Sequence, residues 1–341
     1  MNEKLLESHQ NITTLFIETT NLCNLQCSYC YNKSFSTEKN ISLDVIIQTL
    51  DNLSAFHMHP HLVLSGGEYL YRKDFKEMLD VLIEKVPSIT IATNGLLLND
   101  KTIRFLEQKN NIFLQVSLDG ITDEDNLYRG VKANVIISAI KKVLETNLRK
   151  HLSVRVTIHK QNYNNIEQIM LFCLENEIEL RLSFICFSIN KPETSKYLLN
   201  EDEIFCVFVK IKKFNNKHSS SFQLPDICVG GICGLMDNNG QLAIKIDVEG
   251  NIYACQAGQS ENFLLGNITY ISVYDSTTSK NLKNIRNKII LRKKILENKC
   301  NVCALTNDCL GRCVAHIENE EGSLYKCSDR YRFALERYLQ C

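Results

Sequence analysis

The sequence predicts an α/β protein with a partial (β/α)6 TIM-like barrel followed by a cysteine-rich α+β extension. Two observations predict this fold: apolar runs alternate with amphipathic segments over residues 12–186, and closely spaced cysteines recur in the last third of the 341 residues. Alternating strands and helices indicate a parallel sheet with right-handed crossovers. We therefore expect a barrel domain over residues 1–190, a bridge region over 191–221 and the extension over 222–341.

The strands and helices of the barrel are predicted from hydrophobic periodicity. Short apolar runs that end in polar or glycine-containing turns indicate strands, and apolar residues spaced three and four positions apart indicate helices. Leu43, Ile46 and Leu50, for example, share one face of the first helix. The predicted strands are Ile12–Thr19, Leu62–Ser65, Ser88–Thr93, Phe113–Ser117, Ser153–Ile158 and Glu179–Ile185. The predicted helices are Leu43–Phe56, Arg72–Lys85, Asp100–Lys109, Val135–Asn147 and Ile166–Asn176.

Composition restricts the classes of function. The chain has 39 basic and 39 acidic residues, so it has no basic excess that would indicate a nucleic-acid partner. No apolar run of about 18 residues is present and the first residues are polar, so neither export nor membrane insertion is predicted. The 15 cysteines, an odd number, indicate reduced thiols that bind metal and a cytoplasmic location, rather than a disulfide framework.

Polar and glycine-containing turns follow the first four predicted strands. A cysteine loop follows the first strand, and the segments Ser65–Glu68, Thr93–Gly95 and Ser117–Gly120 follow the next three. Active sites of parallel α/β folds lie at the carboxyl ends of the strands. We therefore expect these segments to form a single site at one rim of the barrel.

The cysteine loop carries the most informative chemical signal. Cys23, Cys27 and Cys30 follow the pattern Cys-x3-Cys-x2-Cys, with Tyr29 directly before the third cysteine. Three thiolates with no fourth nearby suit an iron–sulfur cluster that keeps one iron open for another ligand. Together with the ordered rim segments, this motif resembles the core of the radical S-adenosylmethionine (SAM) enzymes over residues 12–190.

The resemblance implies that the three cysteines hold a [4Fe–4S] cluster and that its open iron binds SAM. Tyr29 would then lie near the adenine. Gly66, Gly67 and Glu68 match the motif that receives the methionyl amino group, where glycine lets backbone carbonyls approach closely. The residues expected at the ribose or at the methionyl carboxylate are Ser117, Asp119 and Arg155.

The last third of the chain has a second cysteine pattern, which resembles the SPASM domain of a subset of radical SAM enzymes. A hairpin predicted over Ala243–Cys255, with a turn at Gly250 and Asn251, matches that domain as well. The resemblance implies two auxiliary [4Fe–4S] clusters, and therefore three clusters in all. The first set of ligands would be Cys228, Cys233, Cys255 and Cys313, and the second would be Cys300, Cys303, Cys309 and Cys327. A structural zinc ion at the second set is the alternative.

The remaining candidate residues have weaker signals. Cys173, Cys186 and Cys206 lie in apolar patterns and are expected to be buried small side chains. The tract His57–His61 is expected to be an ordinary loop between a helix and a strand. The candidates for a base that deprotonates the substrate are Asp226, Asp247 and Tyr253, with surface solvation as the alternative role for each.

The resemblance implies reductive cleavage of SAM to a 5′-deoxyadenosyl radical that abstracts hydrogen from a substrate. The leading hypothesis is a maturase that oxidatively modifies a ribosomally made peptide or a protein, for example by a C–S or C–C cross-link. The alternatives are a radical dehydrogenase or epimerase of a small molecule, such as a sugar or an alcohol, and an iron–sulfur electron carrier or redox sensor. The segment Gly66–Glu68 argues against the carrier, because a carrier needs no site for an amino group.

The expected partners follow from this hypothesis. They are a precursor peptide or protein and an electron donor such as a flavodoxin, a ferredoxin or their reductase. Because only 22 residues precede Cys23, we expect a separate leader-binding protein, or the bridge region over 190–221, to read a leader peptide.

Overall fold

The computed structural model of the protein describes residues 11–32, 37–189, 191–225, 241–300 and 329–339, together with Leu235 and Ala315. The strands are β1 (Asn11–Glu18), β2 (His61–Ser65), β3 (Ile89–Thr93), β4 (Ile112–Ser117), β5 (Leu152–Ile158), β6 (Glu179–Phe184), β7 (Gln241–Ile246), β8 (Asn251–Tyr253) and β9 (Leu264–Asn267). They form one sheet with the order β6-β5-β4-β3-β2-β1-β7-β8-β9.

The predicted α/β fold with a parallel sheet is confirmed. Strands β1 to β6 are parallel neighbours, and a helix lies between consecutive strands of this series. These helices are α1 (Leu43–Ala55), α2 (Phe75–Leu82), α3 (Asp100–Glu107), α4 (Ala133–Leu144) and α5 (Ile166–Glu175). The carboxyl ends of the six strands therefore lie at one rim.

Local sequence signals set where several helices begin. The Ser42 side chain accepts a hydrogen bond from the backbone of Val45 at the start of α1, and Asn99 caps α3 in the same way. Helix α2 begins at Phe75 and not at Arg72 as predicted, because Arg72 is extended after a short 3-10 turn over Tyr69–Tyr71. Arg72 therefore lies before the helix, where its side chain donates to the backbone carbonyls of Thr19 and Ile41.

The core lies between the outer face of the sheet and the helices. Strand residues such as Leu15, Leu64 and Ile91 are fully buried there, as are Leu53 of α1 and Ile140 of α4. Each fully buried aliphatic side chain contributes about 1.5–3 kcal/mol relative to an exposed one. This burial fixes the strand register, because a slip of one residue would turn these side chains to the other face.

The hairpin predicted over Ala243–Cys255 is present, and it extends the barrel sheet. Strand β7 pairs in parallel with β1, so that Ile246 lies beside Ile17, and it pairs in antiparallel fashion with β8. Strand β9 continues this antiparallel edge beside β8. The sheet is therefore continuous across the domain boundary predicted at residue 222.

The bridge region forms a 3-10 turn over Pro192–Tyr197 and helix α6 (Glu201–His218), whose first turn carries an Asn200–Glu203 capping box. The later helices are α7 (Val273–Ser276), α8 (Lys280–Cys300) and α9 (Asp329–Leu339). Helix α9 packs against α6, and Arg337 of α9 pairs with Asp202. Within the described residues, no helix combines the length and the apolar character needed to cross a membrane.

Candidate active site

The cysteine loop (Thr19–Asn32) follows β1 at the carboxyl rim. Cys23 is exposed and Cys27 and Cys30 are half-buried, and all three are free thiols. The backbone N–H of Leu25 donates to Cys23 Sγ at 3.4 Å, and the N–H of Cys30 donates to the carbonyl of Cys27 at 3.1 Å. The predicted ligands therefore lie together on one short loop, with backbone hydrogen bonds that shape it.

The segment Gly66–Glu68, which we call the β2 wall, binds this loop through backbone. The N–H of Gly67 donates to Thr20 O at 2.6 Å, and the N–H of Glu68 donates to Leu22 O at 2.8 Å. A Cβ atom on Gly67 would lie 1.9 Å from Leu22 O, and Gly66 has a φ of +127°, where L side chains are strained. Both glycines are thus required by the close approach of the loop backbone.

Glu68 is buried under the rim and does not point into solvent. Its carboxylate accepts from the N–H of Asn94 at 2.7 Å and from that of Leu70 at 3.2 Å. Burial raises the pKa of Glu68 to about 7, although these hydrogen bonds oppose the shift. Glu68 therefore ties the end of β3 to the β2 wall and titrates near neutral pH.

The loop Asp119–Gly130, which we call the β4 wall, holds the other side of the cysteine loop through charged side chains. Arg129 binds the buried Asp119 carboxylate with two hydrogen bonds, from Nη2 at 2.9 Å and from Nε at 3.2 Å. The Tyr29 hydroxyl and the N–H of Thr157 also donate to this carboxylate. Arg129 holds the pKa of Asp119 well below its usual range, against the effect of burial.

This geometry changes the role expected for Asp119. A carboxylate has about four acceptor sites, and Arg129, Tyr29 and Thr157 occupy them. A ribose hydroxyl would have to displace one of these donors, so the structure places Asp119 among structural contacts. Tyr29, expected near the adenine, likewise donates its hydroxyl hydrogen to Asp119. Its ring centroid lies 5.6 Å from that of His159.

Backbone carbonyls of the β4 wall also contact the cysteine loop. The N–H of Ser28 donates to Tyr128 O at 2.8 Å, and Cys27 Sγ lies 3.6 Å from Arg129 O. From β3, Asn94 Nδ2 donates to Asn24 Oδ1 at 2.7 Å and lies 3.8 Å from Cys23 Sγ. The loop is therefore held from three neighbouring strands.

Ser117 and Arg155 lie side by side at the ends of β4 and β5. They are paired in the parallel register, so both side chains lie on the same face of the sheet, and both are half-buried. That face is the inner face of the barrel, because the alternate residues Val116 and Val154 are buried under the helices. Both residues are consistent with a role at the rim, which stays a prediction.

Two of the three base candidates, Asp247 and Tyr253, lie at the hairpin beside β1. Asp247 accepts hydrogen bonds at 2.9 Å from the N–H groups of Glu249 and Asn251, so its carboxylate stabilises the hairpin turn. Burial raises the pKa of Tyr253 further above its usual value, which disfavours a tyrosinate. Asp226 lies outside the described residues.

The auxiliary ligands are described only in part. Cys255 is a half-buried free thiol two residues after the end of β8, and Cys300 ends helix α8. The predicted ligands outside the described residues are Cys228, Cys233, Cys303, Cys309, Cys313 and Cys327. Of the remaining cysteines, Cys173 is buried as predicted, whereas Cys186 and Cys206 are half-buried.

Sequence reasoning missed two buried arginines at the rim. Arg72 donates to Thr19 O and, at 3.1 Å, to Ile41 O, and it pairs with Asp74. Arg129 lies in a polar loop that gives no sign of burial. The histidine tract is a loop as expected, except that His61 begins β2 and hydrogen-bonds Ser88 at 2.7 Å.

Three free thiols on one short loop are the type of donor that iron–sulfur clusters take. In the described residues, no three His, Cys, Asp or Glu side chains converge on a single-ion site. A cubane cluster instead spreads its thiolates over separate irons. Burial raises the pKa of the Cys27 thiol to about 12, and the positive charge of a bound metal centre would favour the thiolate.

The comparison with protein families agrees with this site. Residues 17–173, which include the cysteine loop and both walls, match the Radical SAM superfamily. Residues 17–173 are therefore similar to a radical SAM domain, and they make up less than half of the 341 residues. That superfamily implies SAM and a [4Fe–4S] cluster as cofactors.

Curated relatives extend beyond the matched domain. The sporulation killing factor maturation protein SkfB of Bacillus subtilis (strain 168) is 25% identical over 76% of this chain and 63% of SkfB. The mycofactocin maturase MftC of Mycobacterium ulcerans (strain Agy99) is 24% identical over 87% of this chain and 82% of MftC. The Fe-coproporphyrin III synthase of Methanosarcina barkeri (strain Fusaro) is 31% identical, but this chain spans only 41% of its length.

Solved structures share the fold over nearly the whole chain. The structure of anSMEcpe with bound AdoMet (SAM) superposes with a TM-score of 0.76 and 16% identity, covering 96% of both chains. Streptococcus suis SuiB bound to the precursor peptide SuiA has a TM-score of 0.70 and 17% identity, covering 95% of this chain and 76% of SuiB. At these identities the likeness shows the fold that this chain shares with anSMEcpe and SuiB.

Proposed function

We propose that the protein is a radical SAM/SPASM enzyme that oxidatively modifies a peptide or protein substrate. One observation carries the proposal: the similarity to MftC covers 87% of this chain and 82% of MftC, a maturase by name. A likeness confined to the barrel would indicate only shared SAM chemistry. A likeness that includes the C-terminal region supports a shared class of reaction.

The core of the proposed site is the cysteine loop. Cys23, Cys27 and Cys30 would hold the [4Fe–4S] cluster, which with SAM supplies a radical able to abstract hydrogen from an unactivated carbon. Gly66 and Gly67 let the loop backbone lie close to β2, and the proposal assigns this motif to the methionyl amino group. In this proposal Ser117 and Arg155, which are paired neighbours on β4 and β5, bind the methionyl carboxylate, which an arginine can bind through two hydrogen bonds.

We assign the cavity beside this loop to the edge of the proposed substrate site. It is lined by residues of the cysteine loop, such as Tyr31 and Asn32, and by Lys245 and Tyr253 of the hairpin. Lys245 is buried, donates to Gly258 O at 3.1 Å and pairs with Glu18 at 3.6 Å. Lys245 thus joins the cavity lining to the segment that follows Cys255, the proposed ligand of the first auxiliary cluster.

We propose two auxiliary clusters at the C-terminal cysteines. Cys255 would contribute to the first set and Cys300 to the second, with the further ligands given by the sequence pattern. Clusters with four thiolate ligands have no vacancy for a substrate, so their role would be to accept the electron left after hydrogen abstraction. An electron-donor protein and a leader-binding partner belong to the same proposal.

The experiment is anaerobic co-expression with short peptides encoded beside the gene, followed by mass spectrometry of each peptide. A mass change that needs the intact enzyme is the expected result. Cys27→Ala should abolish formation of 5′-deoxyadenosine, whereas Cys255→Ala should retain it and lose the modified peptide. Iron should approach about twelve atoms per chain, as three cubane clusters require. A fully loaded wild-type protein that never cleaves SAM would instead indicate an electron carrier.

A further inference from the structure

The ion pair between Asp119 and Arg129 lies directly below the cysteine loop and has no part in the proposed reaction. Both side chains are buried, and the shorter of their two hydrogen bonds is 2.9 Å. His159 Nε2 lies 3.7 Å from the same carboxylate. Burying two charges costs several kcal/mol per ion before their attraction is counted, so such a pair is weak evidence for stability alone. Its position indicates another role.

The pair contacts the loop through both of its members. Tyr29, which lies between two of the predicted cluster ligands, donates its hydroxyl hydrogen to Asp119, and its ring centroid is 5.7 Å from the Arg129 guanidinium carbon. The backbone carbonyl of Arg129 lies 3.6 Å from Cys27 Sγ. The adjacent carbonyl of Tyr128 accepts the N–H of Ser28. One buried pair therefore fixes the loop between Cys27 and Cys30.

The charges of the pair cancel at the position of the proposed core cluster. Removing Arg129 would leave a buried anion beside it, and removing the charge of Asp119 would leave a buried cation. In a low-dielectric interior, one unit charge a few ångströms from a redox centre changes the free energy of reduction strongly. Hydrogen bonding and net charge around a cluster are the factors by which proteins set its reduction potential.

We propose that Asp119 and Arg129 are positioning residues for the core iron–sulfur centre. They hold the Cys27–Cys30 segment in place, and each charge offsets the effect of the other on the reduction potential of the cluster. The inference uses the radical SAM centre alone and makes no use of the substrate. Failure to find a modified peptide therefore leaves it intact.

The test is an EPR-monitored redox titration of the anaerobically reconstituted protein. The core cluster is identified as the signal that changes when SAM is added. Arg129→Met should shift its midpoint potential to more negative values, and Asp119→Asn should shift it to more positive values. The double variant Asp119→Asn with Arg129→Met is neutral again, so its potential should return towards that of the wild type.

A second measurement separates positioning from charge. Iron loss to a chelator should be several-fold faster than in the wild type in the double variant and in Arg129→Lys, which keeps the charge but loses the bidentate geometry. Arg149→Met and Glu177→Gln break an exposed ion pair outside the carboxyl rim, and they should change neither quantity.

Some outcomes would overturn the proposal. If both single variants shift the potential in the same direction, or if either one leaves it unchanged, the two charges do not offset each other at the cluster. If the double variant retains iron as the wild type does, the pair does not position the loop. Should Arg129→Met fail to fold, Asp119→Asn and Arg129→Lys decide the two questions separately, since one changes charge and the other geometry.

Discussion

The cysteine loop contacts the backbone of the β2 wall, whereas in the β4 wall it contacts charged side chains. In the β2 wall, the N–H groups of Gly67 and Glu68 bind the carbonyls of Thr20 and Leu22 at 2.6 and 2.8 Å. In the β4 wall, the loop is held by the buried Asp119 carboxylate and its arginine partner. One wall is therefore defined by steric fit and the other by electrostatics.

The difference predicts how each wall responds to substitution. A steric contact between backbones fails as soon as any Cβ atom is added, because a tightly packed segment cannot move to accept it. An electrostatic contact can be weakened by isosteric changes that leave the packing intact. Substitutions in the two walls should therefore differ in size and in their dependence on pH.

The largest effect is expected from Gly67→Ala in the β2 wall. The new Cβ would lie 1.9 Å from Leu22 O, so the loop backbone has to shift. We expect a loss of about 3 kcal/mol in the free energy of unfolding of the cluster-free protein, measured by urea denaturation, and poor iron uptake.

Gly130→Ala in the β4 wall is the matched control for this substitution. Gly130 has a φ of +73°, but a Cβ atom there would meet nothing within 4 Å. Only the strain of a left-handed alanine is expected, at roughly 1 kcal/mol, with normal iron uptake. Equal losses in the two variants would show that the close approach at Gly67 is unimportant.

A pH-dependent effect is expected from Glu68→Gln. The pKa of Glu68 is about 7 in the folded protein and 4.5 in the reference state, because the carboxyl is buried. The folded state therefore binds the extra proton, and this stabilisation is present below pH 4.5 and is lost as the pH rises through about 7. Over that range the wild type should lose about 3 kcal/mol relative to Glu68→Gln.

The measurement is urea denaturation of both cluster-free proteins from pH 4 to 8. The difference between wild type and variant isolates Glu68, because the other titrating groups are common to both. If the difference stays constant across this range, the carboxyl does not change its protonation on folding. The burial argument for the β2 wall would then be wrong.

The β2 wall could be predicted from sequence and the β4 wall could not. Gly66, Gly67 and Glu68 are adjacent and follow a strand, so a short pattern identifies them. Arg129 lies ten positions after Asp119 in a polar loop that is typical of solvent exposure. Its burial arises only when the cysteine loop folds over it, which is a tertiary contact that local periodicity does not encode.

The same reasoning applies to the fold. The bounds of the barrel strands were predicted to within one or two residues. Strand β1, for example, was expected over Ile12–Thr19 and spans Asn11–Glu18. The pairing of β7 with β1 was not predicted, since it joins segments more than 200 residues apart. Periodicity predicts that a strand exists, whereas its neighbour in the sheet is decided by three-dimensional packing.

A smaller effect is expected from Arg72→Met, which removes a buried side chain that donates hydrogen bonds to backbone carbonyls near the β2 wall. The carbonyls of Thr19 and Ile41 would lose their buried donor, at a cost of about 2 kcal/mol in the free energy of unfolding. Arg149→Met is the control, because its ion pair with Glu177 is exposed and is worth below about 1 kcal/mol. Equal unfolding midpoints in urea for the two variants would contradict this assignment.

The smallest effect is expected from Tyr29→Phe, which removes one hydroxyl from the β4 wall without changing its packing. Asp119 keeps its two bonds to Arg129, so only one hydrogen bond to a charged group is lost, at about 1.5 kcal/mol. Tyr128→Phe is the matched control, since within the described residues its hydroxyl makes no hydrogen bond and its ring still packs 4.3 Å from that of Tyr197. Urea denaturation of both variants measures the difference. A loss as large as that of Gly67→Ala would mean that the β4 wall, like the β2 wall, depends on exact steric fit.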